Sequence, residues 1–555
     1  MSRSAEADDG LTIAEVQTRD HGNFHAASIG NTFEPLLVCQ RLFHLSYAHH
    51  GDPLVPGSSG SAAVRCHAGR RIRFPAEPER SALARRTQPL ARTDVSERFD
   101  LAVVGSGPAG FNAALTAGRM GRRVAIIDRE EMFGGVALRR GGIPSKALRE
   151  AVLNVSGYQR SLFYPGNAPA VPVIDRQQLG DQVREVVRRE VAEASRKLEG
   201  LDVTFLPGLA RFRDANTLDM EGGTTISAGF ILIACGTRSY SHPGIPIDHD
   251  RMMNVDSITS EDLIGEISPT LAVVGAGVIG LEYAAMASVL GTKVTVIDPR
   301  AELLPFLDRE IAAHLREHLT GRGVEFLLGE QIIGANREND KVIIRLENGQ
   351  RLTCDRLLHA GHRVANTDGL DLETIGLSTD ERGLIAVDSQ FRTAVATVYA
   401  AGDIVGFPAL ASTSVEQGRV AASHMFGVPC GYKLTSLPTG IYTIPEIGMV
   451  GMTEDQLASE GIAYAVGIAR FSELVRGQII GDHTGMLKLI FETKHHTLLG
   501  VHVIGTSATE ILHIGHVTMM LGGTMEFLSD AVFNFPTMAE AYKVAAADAL
   551  GRILK

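Results

Sequence analysis

The chain has 555 residues, enough for three or four domains of about 150 residues each. Hydrophobic residues make up 45% of it, charged residues make up 21%, and the net charge is −11. These values indicate a globular protein and argue against a nucleic-acid-binding surface as its main function. With no apolar run of about 18 residues and no secretory signal, we expect no membrane segment and a cytoplasmic location. The five cysteines lack metal-binding spacing, which predicts reduced thiols and no metal site.

Residues 1–98 differ from the rest of the chain. They show no sustained period of two or 3.6 residues, and arginine is frequent between Arg65 and Arg92. This pattern predicts a disordered extension, because little apolar surface is arranged for burial. The alternatives are a true start downstream, near Val95, a basic arm that binds nucleic acid, and an organelle-targeting segment. Early acidic residues such as Glu6 and Asp8 argue against the last of these.

A strand–helix–strand pattern begins at residue 99 with the sequence FDLAVVGSGPAGFNAALTAGRMGRRVAIIDRE. An apolar run leads into Gly105, Gly107 and Gly110, a helical pattern follows, and a second apolar run ends on Asp128. Glycines at this spacing allow a tight turn, a close approach to a pyrophosphate and packing of the helix on the strand. The helix N-terminus attracts phosphate, and the acid accepts hydrogen bonds from ribose hydroxyls. We therefore predict that this unit binds a dinucleotide.

The next stretch, residues 134–146, has the sequence GGVALRRGGIPSK. A long polar helix is predicted from Arg176 to Lys197, because apolar residues recur there at near-helical spacing. Strand patterns follow at LDVTFLPGLARF and at FILIACGTR, which contains Cys235 and Gly236. We interpret Cys235 as a small buried residue of a parallel strand.

A second strand–helix–strand pattern has the sequence PTLAVVGAGVIGLEYAAMASVLGTKVTVIDPR. It contains Gly275, Gly277 and Gly280, and its second strand ends on Asp298, two residues before Arg300. Two dinucleotide folds in one chain predict two bound nucleotides, which is the layout of an enzyme that passes electrons between them. Short strands are predicted within residues 342–362.

The last third of the chain contains three further motifs. The first, TVYAAGDIVGFPALASTSVEQGRVAA, includes Gly402 and Asp403, and a helix is predicted from near Ala411. An Asp after a Gly is also common in turns, so the neighbouring motifs have to decide the function of Asp403. The other two motifs are LPTGIYTIPEIGMVGMTE and, near the C-terminus, FNFPTMAEAYKVAA.

Residues 99–555 resemble the flavoprotein disulfide reductases, a class I pyridine nucleotide-disulfide oxidoreductase family, because these motifs occur in that family's order. The chain is most similar to the soluble pyridine nucleotide transhydrogenases, as shown by the segments IPSKALR, PTGIYTIPE and PTMAEAY. The resemblance implies an α/β fold with two Rossmann-like domains, for FAD and for NAD(P), plus a C-terminal α+β dimerisation domain. A homodimer or larger homo-oligomer is implied. The implied boundaries are 1–98 for the extension, 99–245 and 362–437 for the FAD domain, 246–361 for the NAD(P) domain and 438–555 for the dimerisation domain.

The resemblance also implies which residues form the sites. Lys146 is expected beside flavin N5, paired with Glu282, so that a cation steadies the reduced flavin. The NAD(P) site is expected at Gly275, Gly277, Gly280, Asp298 and Arg300. The FAD site is expected at Gly105, Gly107, Gly110, Asp128, Gly134, Gly135, Val136, Ala137, Lys146, Gly236, Gly402 and Asp403.

The chain departs from the family pattern in the residues that carry its dithiol chemistry. Ala137 and Gly142 occupy the places of the two redox cysteines, and the transhydrogenases keep a cysteine at the first of these places. Phe535 replaces the base histidine, whereas the glutamate that follows it is kept as Glu540. His362 replaces the glycine of a Gly-Arg turn and would be strained if that turn requires a positive φ.

The resemblance implies transfer of hydride between NADPH and NAD+ by a ping-pong route through flavin N5, in either direction. The departures are what a flavin that works without a redox disulfide would tolerate. NAD(H) and NADP(H) are then the substrates of one site, in which Asp298 favours a free ribose and Arg300 binds a 2′-phosphate. If Arg300 is only a surface residue, an NADH-preferring enzyme is expected. The alternatives are an NAD(P)H oxidase or quinone reductase, a dithiol reductase, which the missing cysteines disfavour, and a non-catalytic flavoprotein.

Overall fold

The computed structural model describes residues 97–131, 133–156, 176–258, 268–430 and 436–554. Residues 1–96 of the predicted extension lie outside the described residues, and its last two residues, 97 and 98, belong to the first strand. The described strands are β1 Glu97–Val104, β2 Val124–Asp128, β3 Val203–Pro207, β4 Ala210–Asp214, β5 Thr217–Met220, β6 Thr225–Ile233, β7 Thr237–Ser239, β8 Met252–Asn254, β9 Thr270–Val274, β10 Lys293–Asp298, β11 Glu325–Leu328, β12 Ile332–Glu338, β13 Lys341–Leu346, β14 Arg351–Cys354, β15 Arg356–His359, β16 Arg363–Ala365, β17 Val398–Ala400, β18 Thr439–Ile441, β19 Ile447–Gly451, β20 Tyr464–Arg470, β21 Met486–Glu492 and β22 Leu498–Ile504.

Helices connect and cover these strands. They are α1 Pro108–Arg119, α2 Gly135–Arg139, α3 Ile143–Ser156, α4 Arg176–Leu198, α5 Val278–Val289, α6 Arg309–Gly321, α7 Ala411–Met425, α8 Glu454–Glu460, α9 Val475–Ile480, α10 Ala508–Met520, α11 Met525–Asp530 and α12 Glu540–Ile553. The predicted polar helix is α4, and the helix predicted from near Ala411 is α7.

The first sheet has the strand order β3-β2-β1-β6-β5-β4, with β17 also paired to β6. Strands β3, β2, β1, β6 and β17 pair in parallel, whereas β4 and β5 join as antiparallel strands. Alternate residues of β1 pack in different hydrophobic clusters, Leu101 and Val103 in one and Ala102 and Val104 in the other. Burial on both faces explains the continuous apolar run that the sequence shows.

The second dinucleotide-type sheet is fully parallel, with the order β11-β10-β9-β15-β8. Helix α5 is apolar on nearly all sides, because it packs in a core that also contains residues of α3 and of the C-terminal strands, such as Leu148, Ile441 and Ile504. Strands β12, β13 and β14 form a small antiparallel sheet beside it, and β7 pairs with β16.

The C-terminal part is an antiparallel sheet with the order β18-β19-β22-β21-β20. Helices α10 and α12 pack against it around Tyr542, which is fully buried. In the described parts of the chain, no helix is long and apolar enough to cross a bilayer.

Two details differ from the sequence interpretation. Cys235 lies just after the end of β6, not within the strand, and is only partly buried. Its Sγ donates a hydrogen bond to the carbonyl oxygen of Asn366 at 3.0 Å. His362 does not have a positive φ, so the strain considered for it is absent. Its ring instead stacks on Tyr240, with centroids 4.2 Å apart.

Candidate dinucleotide and redox site

The first glycine-rich turn joins β1 to α1. Gly105 has a φ of +106°, and a Cβ there would lie 2.3 Å from the carbonyl oxygen of Ala234, so no side chain fits. A Cβ at Gly110 would lie 1.9 Å from the carbonyl oxygen of Gly105, which shows how closely the helix packs on the strand. Gly107 precedes α1 with no side-chain cap, and no atom lies within 4 Å of the place of its Cβ. Open space therefore adjoins the helix N-terminus.

Asp128 lies beside this turn at the end of β2 and is buried. Its carboxylate accepts hydrogen bonds from the N–H of Ser106 at 2.8 Å and from the Ser106 hydroxyl at 2.6 Å. The N–H of Gly134 donates to the same hydroxyl oxygen at 3.1 Å. A Cβ at Gly135 would lie 2.9 Å from the Cα of Gly107. The structure thus brings the turn, the acid and the start of the 134–146 stretch together.

The 134–146 stretch forms two helices rather than one. Val136 and Ala137 lie on α2, which ends at Arg139, and Gly142 lies immediately before α3. The chain leaves the helical conformation between them, with a φ of −135° at Arg140. A Cβ at Gly142 would lie 2.2 Å from the carbonyl oxygen of Ala137 and 2.9 Å from its Cα. Positions 137 and 142, where the family has its two cysteines, are therefore adjacent. Their backbones approach more closely than a side chain at 142 would allow.

The predicted pair of Lys146 and Glu282 is present. Lys146 Nζ lies 2.8 Å from Glu282 Oε2, and this contact joins α3 to α5. The second carboxylate oxygen of Glu282 accepts the N–H of Tyr442 at 2.9 Å. Glu282 is buried, whereas a third of the Lys146 side chain is exposed. A buried carboxylate thus holds a partly accessible ammonium.

The second flavin-type motif meets the first turn. Gly402 has a φ of +88°, and a Cβ there would lie 3.1 Å from the Cβ of Ala109 in α1. Its N–H donates to Gln417 Oε1 of α7 at 2.7 Å. Gly236, after β6, has a φ of +64°, and its carbonyl oxygen accepts the N–H of Asn366. Predicted glycines from three separate motifs therefore lie around one region of the first sheet.

Asp403 follows Gly402 and is partly buried, with few close partners. Its oxygens are 3.5 Å from the hydroxyls of Thr237 and Ser414, the upper limit of a hydrogen bond. Burial raises the pKa of Asp403, and the charge of Arg363 opposes this shift. A carboxylate with such long contacts retains the capacity to accept hydrogen bonds from a ligand.

The second glycine-rich turn repeats the geometry of the first. Gly275 has a φ of +114°, and a Cβ there would lie 2.3 Å from the carbonyl oxygen of Ala360. A Cβ at Gly280 would lie 2.0 Å from the carbonyl oxygen of Gly275. Gly277 precedes α5 without a side-chain cap, and no atom lies within 4 Å of the place of its Cβ. Each turn thus offers a helix N-terminus to a phosphate.

Asp298 and Arg300 form an ion pair at the end of β10. Arg300 Nε and Nη2 lie 2.8 and 2.7 Å from the carboxylate of Asp298, which also accepts the N–H of Ala276 at 2.6 Å. Burial opposes ionisation of Asp298, but the Arg300 guanidinium and the backbone N–H groups hold its pKa below the usual range. Arg300 is about half exposed, so its guanidinium is accessible at the mouth of the turn.

Phe535 and Glu540 stand at the positions where the resemblance places a base histidine and its glutamate partner. Phe535 is 62% exposed. Glu540 begins α12, and its Oε2 is buried with no hydrogen-bond partner among the described residues. No group of three His, Cys, Asp or Glu side chains in the described ranges is placed to hold a metal ion.

The residues present fit two dinucleotides. The N-termini of α1 and α5 both have uncapped N–H groups beside open space, which suits a pyrophosphate. Asp403 has spare acceptor capacity, which suits a hydroxylated chain such as that of a flavin. FAD would therefore be held by the first turn, Asp128, residues 134–137 and Asp403, and a pyridine nucleotide by the second turn and Asp298.

The sequence interpretation did not assign a role to Ser106, Gln417 or Tyr442. Ser106 is a variable position of the glycine pattern, and Gln417 lies in a helix, so neither carried a local signal. Tyr442 lies in the PTGIYTIPE segment, which carried the family resemblance. The segment was therefore recognised, but its contact with Glu282 was not.

Comparisons with known proteins identify the family of the chain. The family model described as pyridine nucleotide-disulphide oxidoreductase matches residues 99–418, and the dimerisation domain of that family matches residues 437–546. A soluble pyridine nucleotide transhydrogenase from Mycobacterium tuberculosis is 42% identical over 460 residues, which are 82% of this chain and 98% of that protein. One from a Marinomonas species is 39% identical over 470 residues, 82% of this chain and 99% of that protein.

Solved structures show the same architecture. LpdA from Mycobacterium tuberculosis aligns with a TM-score of 0.74 at 24% identity, covering 81% of this chain and 99% of that one. The HOCl-induced flavoprotein disulfide reductase RclA from Escherichia coli aligns with a TM-score of 0.72 at 25% identity and the same coverage. The chain therefore belongs to the pyridine nucleotide-disulphide oxidoreductase family of enzymes, which confirms the family and the fold class that its motifs predict.

Proposed function

We propose that the protein transfers hydride from NADPH to NAD+ with FAD as the carrier and without a redox disulfide. The observation that carries this proposal is the Lys146–Glu282 contact of 2.8 Å, kept on a scaffold whose two thiol positions are Ala137 and Gly142. The names of the relatives support the same reaction. When bound, FAD would supply a two-electron carrier that takes hydride from one nicotinamide and gives it to the next.

The role proposed for Lys146 is electrostatic. Its ammonium brings a positive charge to the place where the resemblance puts the flavin, and Glu282 fixes the position of that ammonium. A preorganised charge needs no rearrangement during the reaction, and such groups contribute about a hundredfold or more to rates in other enzymes. Both partners lie on helices, so the pair is held by rigid elements.

One nucleotide site would serve both substrates in turn. Asp298 is ionised at neutral pH and suits the free ribose hydroxyls of NAD+. Arg300 now pairs with Asp298, and a rotation of its exposed side chain would bring the guanidinium to a 2′-phosphate. The site would therefore accept NAD(H) while Arg300 pairs with Asp298. It would accept NADP(H) once Arg300 pairs with the 2′-phosphate instead.

The absence of thiols at positions 137 and 142 removes the need for a base. Phenylalanine at 535 cannot transfer a proton, and hydride exchange between two nicotinamides leaves no thiolate to protonate. The absence of both thiols and of the base histidine is consistent with hydride exchange between nicotinamides, which uses none of these groups.

The direct test is anaerobic stopped-flow absorbance of the purified holoenzyme. NADPH is expected to bleach the flavin in a first mixing, and NAD+ is expected to restore its colour in a second. Lys146→Met should slow both steps by about a hundredfold. A flavin that NADPH bleaches but that only O2 or a quinone restores would show an oxidase or quinone reductase. A yellow protein that NADPH does not bleach would contradict any catalytic role with NADPH.

We also propose a homodimer and retain the domain boundaries predicted above. The match to the dimerisation domain of the family supports the first proposal. The changes of sheet near residues 245, 361 and 437 are consistent with the second. The cytoplasmic location stays a prediction from the sequence.

A further inference from the structure

Tyr442 connects the C-terminal part of the chain to the Lys146–Glu282 pair. It lies between β18 and β19, and its N–H donates to Glu282 Oε1 at 2.9 Å. Lys146 Nζ occupies the other oxygen, Oε2, at 2.8 Å. Each carboxylate oxygen of Glu282 therefore has its own donor, and the two bonds together fix the plane of the carboxylate.

The aromatic ring of Tyr442 makes a second contact with the pair. Lys146 Nζ lies over the ring, 5.0 Å from its centroid, which is within the range of a cation–π interaction. The ammonium thus lies between a carboxylate and a ring face. The side chains of Tyr442 and of Thr509 in α10 line the same cavity.

The segment that contains Tyr442 also holds the helix that carries Lys146. Arg149, one turn after Lys146 on α3, donates from Nε to the carbonyl oxygen of Thr443 at 3.2 Å. Its Nη2 lies 3.3 Å from the carboxylate of Glu446. These contacts fix the backbone of the segment around Tyr442 relative to α3.

We infer that Tyr442 is a positioning residue for the Lys146 ammonium. This inference rests on the proposed function, because it gives Lys146 a role at the flavin. The ring face and the backbone N–H act together: the N–H orients Glu282, and the ring limits where the ammonium can lie. The C-terminal part of the same chain thereby completes the electrostatic environment of the redox site.

Three variants separate the ring face from the hydroxyl. Tyr442→Leu and Tyr442→Met remove the aromatic face but keep an apolar side chain, and either supplies the test if the other does not fold. Tyr442→Phe keeps the face and loses only the hydroxyl. Tyr399→Phe is the matched control, since it removes a tyrosine hydroxyl at the first sheet, where it contacts His424.

Four properties are measured for each holoenzyme. In the Leu and Met variants the rate of flavin reduction by NADPH should fall about tenfold, while the Kd for NADPH changes less than about twofold. The two-electron potential of the flavin should fall by about 30 mV, which corresponds to a tenfold change in the ratio of reduced to oxidised flavin. A crystal structure of the variant should show Lys146 Nζ more than about 4 Å from Glu282, the limit of an ion pair. Tyr442→Phe and Tyr399→Phe should match the wild type.

The outcomes distinguish the two proposals. If wild-type flavin is reduced and reoxidised by the two nucleotides but the Leu and Met variants keep the wild-type rate and potential, the positioning role is wrong. If both variants lose NADPH affinity as strongly as rate, Tyr442 acts on the nucleotide and the inference is equally wrong. If the wild-type flavin does not react with the nucleotides at all, the proposed function itself fails, whatever the potentials show.

Discussion

At the scale of single residues, the proposed use of one nucleotide site by two substrates depends on the ion pair of Asp298 and Arg300. We expect Arg300→Ala to weaken NADPH binding by roughly ten- to a hundredfold, because charge-assisted bonds to a phosphate are worth about 1.5–3 kcal/mol. NADH binding should stay within about threefold, since Asp298 remains. Titration of the bound nucleotides against the oxidised and reduced enzyme measures both, with Arg300→Lys as the charge-conserving control. Unchanged NADPH affinity in Arg300→Ala would reject the dual role of this pair.

His359 makes stability depend on pH. It is 4% exposed at the end of β15, and burial, together with the charges of His242 and His362, lowers the pKa of its ring to about 4. An unfolded histidine binds a proton near pH 6.5, so below that pH the unfolded state gains protons that the folded state does not. The free energy of unfolding should therefore fall as the pH drops from about 6.5 towards 4, by on the order of 2–3 kcal/mol.

The measurement is denaturant unfolding at a series of pH values. His359→Asn should show a smaller fall over the same range, because asparagine does not titrate there. An equal fall in the variant and the wild type would assign the pH dependence to other groups.

At the scale of secondary-structure elements, a buried ion cluster joins α6 to the C-terminal sheet. Lys488 on β21 is 2% exposed, and its Nζ lies 2.9 Å from Asp308, the residue that caps α6. Glu310 and Glu454 also contact this ammonium. We expect Lys488→Met to lower the free energy of unfolding by about 3–5 kcal/mol, because it leaves the buried carboxylate of Asp308 without a counter-ion.

Lys341→Met is the control for this cluster. Lys341 pairs with Asp355 but is half exposed, so its loss should cost less than about 1 kcal/mol. Denaturant midpoints at saturating FAD compare the two variants. Equal midpoints would mean that the buried cluster contributes no more than a pair whose lysine is half exposed.

The elements also show which parts of the structure the sequence could predict. Both strand–helix–strand units were predictable, because apolar runs and glycine spacing are local patterns. The division of residues 134–146 into α2 and α3 was not, because it depends on how closely Gly142 packs on Ala137. Contacts between residues 160 and 180 positions apart, Glu282 with Tyr442 and Asp308 with Lys488, leave no period in the sequence. The sequence therefore predicted the two motifs that contain Lys146 and Glu282. It did not predict the contact that Tyr442 makes with them.

At the scale of the whole molecule, apolar side chains are exposed on the C-terminal part. Leu521 is 81% exposed and Val532 is 96% exposed, and Met520, Phe527 and Phe535 lie near them in the chain and are also exposed. Exposed apolar surface of this kind marks association sites, and the matching family model is a dimerisation domain. A second copy of the chain is the proposed occupant.

We expect the double variant Leu521→Glu/Val532→Glu to be a monomer. Two charges would have to be desolvated in a dimer interface, which costs several kcal/mol. Sedimentation velocity of the holoenzyme measures the assembly. Leu209→Glu, at an exposed leucine between β3 and β4, should leave the assembly unchanged. A double variant that sediments like the wild type would place the interface elsewhere.

The core around α5 has a consequence for engineering. Residues of the nucleotide-binding sheet, of α3 and of the C-terminal strands share one hydrophobic cluster, which includes Val273, Leu148 and Ile504. Excising residues 246–361 would expose this shared core on both sides of the cut, so the segment is not a transplantable module. We therefore expect cofactor preference to change through point substitutions at the mouth of the second turn. Exchange of the whole domain with a relative would disrupt the shared core.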